Sequence, residues 1–397
     1  MNVVDSLLDK GYSIYHFNDD EDIFQGSQGV FLRGEHPHNG IRLPCIIYIP
    51  EESMDYHAIH AIKNSPVGTP ERLYAIEREY ASFAYDGEVE KLERKIVDAR
   101  NNPKTIFSHL SGSKIKRIAW ATDIHLNFLE AEPLETFFSK ICNSDIDALL
   151  LTGDIAESKD VCYYLDALEK KFRKPVYFVL GNHDFYGSSI EKVHQKCSHL
   201  CRNSQHLFWL TKCNALEITP EVALVGHDGW ADGQHGDFLG SNIVMNDYVL
   251  IEDLLVHDMK RDFSSRKYKE ILLQKLIGIS RRTADHFRRI LPEALKEYKH
   301  LILLTHIPPF ISATVYNGRI STQDWLPHMS SHLVGETLVE IMSHYPDRFL
   351  TVLCGHTHGI GACRIQQNIS AFTGEAQYGM PKIQQIFEIP YGPGWAF

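Results

Sequence analysis

The chain lacks several features that would place it in the commoner non-enzymatic or membrane classes. No apolar run approaches the about 18 residues needed to span a bilayer. The start, with Asp5 and Asp9, lacks the basic and then apolar order of a secretion signal. Eight cysteines are scattered along 397 residues, too thin for a disulfide framework. These absences lead us to expect a soluble protein of a reducing cytoplasm, without a membrane partner. Basic charge is also short: the formal net charge is −11. With no basic field to hold a polyanion, stable binding of duplex DNA is disfavoured. Metal cations could still reverse that sign locally for a small phosphorylated substrate. Low-complexity tracts and internal repeats are missing too. What is present is a globular balance, 44% hydrophobic and 23% charged residues.

One group of cysteines and histidines invites a zinc reading: His194, Cys197, His199, Cys201, His206 and Cys213. The stretch 189–207 reads as a helix, on which Cys197 and Cys201 are i,i+4 neighbours, and no Cys-x-x-Cys pair occurs there. Zinc spacings are not met. Core and surface residues are the expected outcome.

Residues 1–112 differ in texture from the rest. Short strand-like pieces, Gly29–Leu32 and Ile41–Ile49, are separated by Gly, Asn and Pro. A helix or helix pair is predicted after Thr69-Pro70, where Thr69 can cap and Pro70 suits the first turn; it runs towards Arg100. This region carries no chemical motif and is expected to be an α+β accessory region of unknown role.

From residue 113 to the C-terminus, short apolar runs alternate with helical stretches, the pattern of a layered α/β domain. Ile118–Ala121, Ala148–Leu151, Val176–Leu180, Ala223–Val225, Leu301–Leu304 and Leu350–Leu353 read as strands buried on both faces. Leu134–Cys142, Cys162–Phe172 and Ser265–Lys299 read as helices.

Chemistry clusters where those strands end. Thr122-Asp123-Ile124-His125 follows the first, Thr152-Gly153-Asp154 the second and Gly181-Asn182-His183-Asp184 the third. Thr305-His306-Ile307-Pro308 and Gly355-His356-Thr357-His358 follow the last two. In open α/β sheets, sites form beyond the carboxyl ends of strands. A lone Asp-x-His or Gly-Asp is usually a turn. Unrelated turns have no reason to present Asp, His and Asn together at five strand ends, so the set points to a metal site.

The order Asp-x-His, Gly-Asp-x-x-Glu, Gly-Asn-His-Asp, His, Gly-His-x-His resembles the calcineurin-like metallophosphoesterase family. The resemblance implies a four-layer α-β-β-α sandwich with two metals at one end. It implies Asp123, His125, Asp154 and His358 as ligands of one metal, and Asp154, Asn182, His306 and His356 as ligands of the other, with Asp154 bridging. Glu157 stands where the family commonly has Asp, a mild departure at a position that is not a ligand. Mixed His, Asp and Asn donors suit borderline ions, with Mn²⁺ expected first and Fe²⁺ or Zn²⁺ next, and do not suit Ca²⁺. The implied reaction is attack of a metal-bridging hydroxide on a phosphate ester. His183 resembles the catalytic histidine and is expected to be the general acid, with Asp184 holding its imidazole.

Substrate contacts are less marked. In the loop Gly226–Gly233, Trp230 is a candidate stacking residue, and Asp228 and Asp232 are candidates to orient ligand histidines or to stabilise turns. Arg319 is a candidate phosphate contact. The expected substrate is a small phosphomonoester or phosphodiester, such as a nucleotide. A nuclease or protein phosphatase of the same family is the second reading, and a metal-binding module without catalysis the third. Oligomeric state leaves no trace in the sequence.

Overall fold

The computed structural model describes residues 115–256 and 262–390, and the backbone of four strands before them: residues 13–14, 29–38, 41–50 and 60–61. The chain divides into two compact units, one of residues 1–114 with 392–397 and one of residues 115–391.

In the first unit the strands are β1 (Ser13–Ile14), β2 (Gly29–His38), β3 (Ile41–Pro50) and β4 (His60–Ala61). They form one antiparallel sheet in that order. Both strand-like pieces anticipated there are strands. In sequence Asn39-Gly40 separates β2 from β3, a strong hairpin signal. The helix anticipated after Thr69-Pro70 lies outside the described residues.

The second unit holds two sheets. The first contains β5 (Ile115–Ala121), β6 (Ala148–Thr152), β7 (Val176–Val179) and β8 (Leu207–Trp209), all parallel, with β17 (Gln385–Pro390) antiparallel on the β5 edge. The second contains β9 (Leu216–Thr219), β10 (Val222–Gly226), β11 (His300–Leu304), β14 (Phe349–Cys354), β15 (Gly361–Gln366) and β16 (Ile369–Thr373). Its inner strands β10, β11, β14 and β16 run parallel, while β9 and β15 pair antiparallel at the edges. A small hairpin, β12 (Val315–Tyr316) with β13 (Arg319–Ile320), stands apart. Each of the six apolar runs anticipated as strands is one, within a residue or a few at either end.

Side-chain alternation sets the layers. Ala119, Ala121, Leu149, Leu151, Val176 and Phe178 join a core with helices α1 (Ala131–Asn143), α2 (Val161–Phe172) and α3 (Ile190–Arg202). Ala223, Val225, Leu301, Leu303, Leu350 and Val352 join a second core with α7 (His332–Ser343). The alternate residues Ile118, Trp120, Leu150, Leu224, Ile302 and Leu304 are buried as well, and strands β6 and β11 approach one another across that face. The result is α-β-β-α in four layers.

A short helix α4 (Asp247–Leu250) precedes the long α5 (Arg266–Glu297), and another short one, α6 (Leu326–Met329), precedes α7. Helix α5 has 32 residues, about 48 Å at 1.5 Å per residue. That reach lets Tyr268, Leu272 and Leu276 pack in the first core while Phe287, Leu291 and Leu295 pack in the second. Ser189, Ser265 and Ser331 cap α3, α5 and α7 by accepting from backbone N–H groups in the first turn. Helix α3 ends at Arg202, short of the anticipated Leu207, because Leu207 opens β8. Among the described residues, no helix is long and apolar enough to cross a membrane.

Candidate metal centre at the strand ends

Every parallel strand points its carboxyl end at the same rim. The chain turns sharply there, and the turns are built from the motif residues themselves. Asp123 (φ 48), His125 (φ 40), Asp154 (φ 51), His356 (φ 70) and His358 (φ 58) all lie in the left-handed region. Each such residue costs about 1–3 kcal/mol unless its surroundings impose it. Five of the seven non-glycine residues with positive φ among the described residues belong to the expected ligand set. Strain is thus concentrated where donor atoms converge. Glycines make the convergence possible: a Cβ on Gly181 would collide with the Asp154 carboxylate, and one on Gly355 with that of Asp123.

Asp123, His125, Asp154 and His358 each offer one donor atom, and these atoms lie within 4.8 Å of one another. His125 Nε2 is 3.4 Å from His358 Nε2 and 3.7 Å from Asp154 Oδ2. His358 Nε2 stands 3.4 Å from Asp123 Oδ1. The remaining expected ligands gather on the other side of Asp154. His306 Nε2 is 3.4 Å from Asp154 Oδ1 and 2.9 Å from Asn182 Oδ1, and His356 Nδ1 is 2.9 Å from that same Asn182 oxygen. Asp123, His125, Asp154, Asn182 and His306 are at most 3% exposed.

Neighbouring groups fix which atoms face inward. His306 Nδ1–H donates to the Thr152 carbonyl (2.8 Å), and His356 Nε2–H donates to the His328 carbonyl (3.0 Å). That turns Nε2 of His306 and Nδ1 of His356 inward, towards Asn182 and Asp154, as the nitrogens that would offer lone pairs to a metal. Asn182 donates from Nδ2 to Asp247 Oδ1 (2.9 Å), and the Tyr186 hydroxyl donates to that oxygen as well (2.7 Å).

The electrostatics call for a cation. Burial would raise the Asp154 carboxyl, but His306, His183 and His125 hold it well below the ordinary carboxylate range. Asp123 is lowered too, against its burial, by His358 and His306. Reciprocally, burial disfavours a charged His306, yet Asp154 pushes it up to about 10. Two ionised, buried carboxylates ringed by imidazoles are a donor set that divalent ions fit.

His183, on the turn after β7, keeps part of its ring exposed. Its Nε2 is 4.0 Å from Asp154 Oδ2, and its ring centroid is 4.6 Å from that of His125. Asp184 departs from expectation. Its carboxylate accepts three backbone N–H groups, from Ile155 (3.0 Å), Ala156 (2.8 Å) and Gly181 (2.8 Å), while His183 Nδ1 is buried without a hydrogen-bond partner. Asp184 ties the β6 and β7 turns together and does not hold the His183 imidazole.

Trp230, Asp228 and Asp232 also sit elsewhere. Trp230 is 4% exposed and packs in the first core, 5.8 Å from the Phe185 ring, so it offers no stacking face to the site. The Asp228 carboxylate accepts from Leu180 N, Trp209 Nε1 and Thr211 Oγ1 and meets His194 Nε2 at 3.1 Å; it orients no ligand histidine. Asp232 accepts from Leu333 N and Ser331 Oγ at the start of α7. Arg319 is exposed on the β12–β13 hairpin. Cys197 faces Cys162, with 3.8 Å between sulfurs, and no zinc group forms there among the described residues.

Sequence reasoning did not find Asp247, Tyr186, Phe128 or Tyr378. Asp247, at the start of α4, and Tyr378, in a loop, reach the rim without a motif, so only the fold brings them in. Phe128, three residues after His125, carried the local signal of an apolar residue beside a ligand turn.

The fold and this buried donor cluster define a metal-dependent phosphoric ester hydrolase. A family model described as calcineurin-like phosphoesterase matches residues 116–359, more than half of the chain, and the chain belongs to that family. No curated protein matches it significantly. Among solved structures it is similar to a phosphopantetheinyl hydrolase from Mycobacterium tuberculosis, at 12% identity and a TM-score of 0.47, covering 71% of this chain and 98% of that one. It is similar also to a dimetal phosphatase from Danio rerio, at 12% identity and a TM-score of 0.41, covering 66% and 87%. A 5'-nucleotidase from Candida albicans is matched at 14% identity and a TM-score of 0.33, covering 65% and 45%. None of these likenesses is close enough to speak to substrate.

Proposed function

We propose that the rim binds two divalent ions and that the chain hydrolyses the phosphate ester of a small molecule, a monoester or a diester. The observation that carries this reading is the disposition of Asp154. Its Oδ2 faces His125 and His183, while its Oδ1 faces His306. A carboxylate so placed can serve two ions at once. Asp123, His125, Asp154 and His358 would hold one ion, and Asp154, Asn182, His306 and His356 the other. The nitrogen and oxygen donors favour Mn²⁺, with Fe²⁺ or Zn²⁺ as alternatives. When bound, the ions would supply Lewis-acid stabilisation of charge developing on phosphoryl oxygens and would acidify water.

The chain's own residues do the rest. Asp247 and Tyr186 orient the Asn182 amide. The Thr152 and His328 carbonyls hold two imidazoles in the tautomers that turn lone pairs inward. His183 donates a proton to the departing oxygen from Nε2, the nitrogen that faces the site. The buried floor excludes bulk water from the carboxylates, which strengthens each electrostatic contact.

A screen of the purified full chain with Mn²⁺ on nitrophenyl phosphate mono- and diesters, nucleotides and single-stranded nucleic acid tests the reading. Turnover of small esters is expected. No hydrolysis with any divalent ion would leave a metal-binding module; cleavage of nucleic acid alone would make it a nuclease.

A further inference from the structure

The chain crosses the rim once more after the motif residues end. Strand β16 runs parallel to β14 and so finishes at the rim, whereas β17 runs antiparallel to β5 and so begins there, with Gln385 opposite Trp120. Residues 374–384 must therefore pass from one sheet to the other across the mouth of the site. The passage is anchored: Ala376 N–H donates to the His358 carbonyl and Gln384 N–H to the Trp120 carbonyl. Between these anchors Met380 N–H donates to the Gln377 carbonyl, closing a turn with Gly379 at φ 77, a value that suits glycine at its third position.

That turn presents Tyr378. Its ring lies 4.5 Å from His125, 5.1 Å from His358 and 6.2 Å from His183, centroid to centroid, yet it is 49% exposed. Phe128 stands beside it, 5.1 Å away at 70°, and is 51% exposed. Phe128 belongs to the short turn after His125 in which Leu126 is fully buried, so the backbone sends one apolar side chain into the core and the other out. Two adjoining aromatic faces left half open above buried polar groups are costly to hydrate, and each is a surface on which another ring can stack. Lys382, in the same loop, is paired with Glu375.

Resting on the hydrolase reading above, we propose that Phe128 and Tyr378 form a stacking shelf that selects substrates carrying a planar aromatic or heteroaromatic group next to the phosphate. Such a group would lie against the two rings while the phosphate reaches the floor beside His125 and Asp154. The shelf sets selectivity by binding the ring and takes no part in bond breaking.

The test uses the Mn²⁺-loaded full chain and three phosphonates, whose carbon–phosphorus bond is not an ester: benzyl, cyclohexylmethyl and ethyl. Titration calorimetry should show benzylphosphonate binding roughly five- to tenfold tighter than the other two, the scale of one or two aromatic contacts. Phe128→Ala and Tyr378→Ala should each shrink that gap, while Phe128→Tyr and Tyr378→Phe, which keep the rings, should preserve it. Equal binding of all three, binding of none, a cyclohexylmethyl affinity equal to that of benzyl, or a gap indifferent to both alanine variants would overturn the shelf. Benzyl and ethyl phosphate esters, assayed in parallel for phosphate release, separate this from the underlying reading. A preserved gap without ester cleavage sinks the hydrolase assignment and leaves the shelf; cleavage without a gap sinks the shelf alone.

Discussion

The Asp247 carboxylate accepts a hydrogen bond from Asn182 Nδ2 at 2.9 Å, and by doing so fixes Asn182 Oδ1 towards both His306 and His356. An amide has one acceptor end and one donor end. Should it flip, its N–H groups would face the nitrogens that have to keep their lone pairs for a metal. Asp247 is itself 6% exposed, so removing its carboxylate leaves the amide only the longer 3.2 Å contact to the Tyr186 hydroxyl. Asp247→Ala is therefore expected to weaken binding of the second ion about 10- to 100-fold, the usual effect of losing a partner behind a ligand. Metal titration with a fluorescent competitor reads this directly, and undiminished uptake of two ions would refute the orienting role.

His183→Ala should leave metal content at two per chain, since the ring is not among the proposed ligand donors. Turnover should fall about 10²- to 10⁴-fold, the range of general-acid contributions. The loss should be steepest for esters with strongly basic leaving groups, which need the proton most. Metal analysis beside a leaving-group series checks both halves, and a flat series would remove His183 from the reaction.

Asp184 leads to a different expectation. Its three amide contacts join the turn of Asp154 to the turn of Asn182, so its replacement loosens the frame that sets the ligands. Asp184→Ala strands three buried N–H groups and should lower stability by about 3 kcal/mol or more, each unsatisfied group costing about 1–3 kcal/mol. Denaturant unfolding measures it. A fall in turnover at unchanged stability would instead return Asp184 to the role of a partner of His183.

Those two neighbours show what the sequence discloses. The expected ligands were legible because each sits within five residues of the end of an apolar run, and a strand end at the rim is a local matter of pattern. The direction in which a side chain points from such a turn is not local. Asp184 follows His183 directly, yet the tight right-handed turn His183–Phe185 carries its carboxylate back onto the amides at 155, 156 and 181. Trp230, beside a glycine, fits a stacking role or a packing anchor equally well in sequence, and it packs in the first core. Asp247 and Tyr378 arrive at the rim only through long-range topology, with no periodicity to announce them. The helix α7 was missed because its apolar positions follow a stretch of Ser and His that resembles a loop.

Chelation offers a check on the whole centre. Asp123 and Asp154 are 2% and 1% exposed, and without cations their charges must be balanced by protonated histidines. An ion that binds the folded state alone stabilises it by about 2.7 kcal/mol at a concentration 100 times its dissociation constant. Exhaustive chelation should therefore abolish ester hydrolysis and lower the melting temperature, and restoring Mn²⁺ should recover both. A melting curve indifferent to chelation and refilling would count against a metal centre in the fold.

Acid stability should be set partly by two histidines outside the expected ligand set. Burial pushes His227 down to about 3 and His286 down to about 4, and their rings lie 5.0 Å apart, His227 directly following β10. In the unfolded chain both titrate near the ordinary value of about 6.5. Between those limits the unfolded state binds protons that the folded state refuses, so stability must rise with pH there. It should be full above about pH 6.5 and decline as pH falls towards 4, with a slope approaching about 1.4 kcal/mol per pH unit for each histidine. His286→Gln removes one of these groups and should make the decline shallower. Denaturant unfolding at pH 7, 6 and 5 compares the two proteins. Parallel curves would show that His286 takes up its proton equally readily in both states, contrary to its burial against His227 and Phe287.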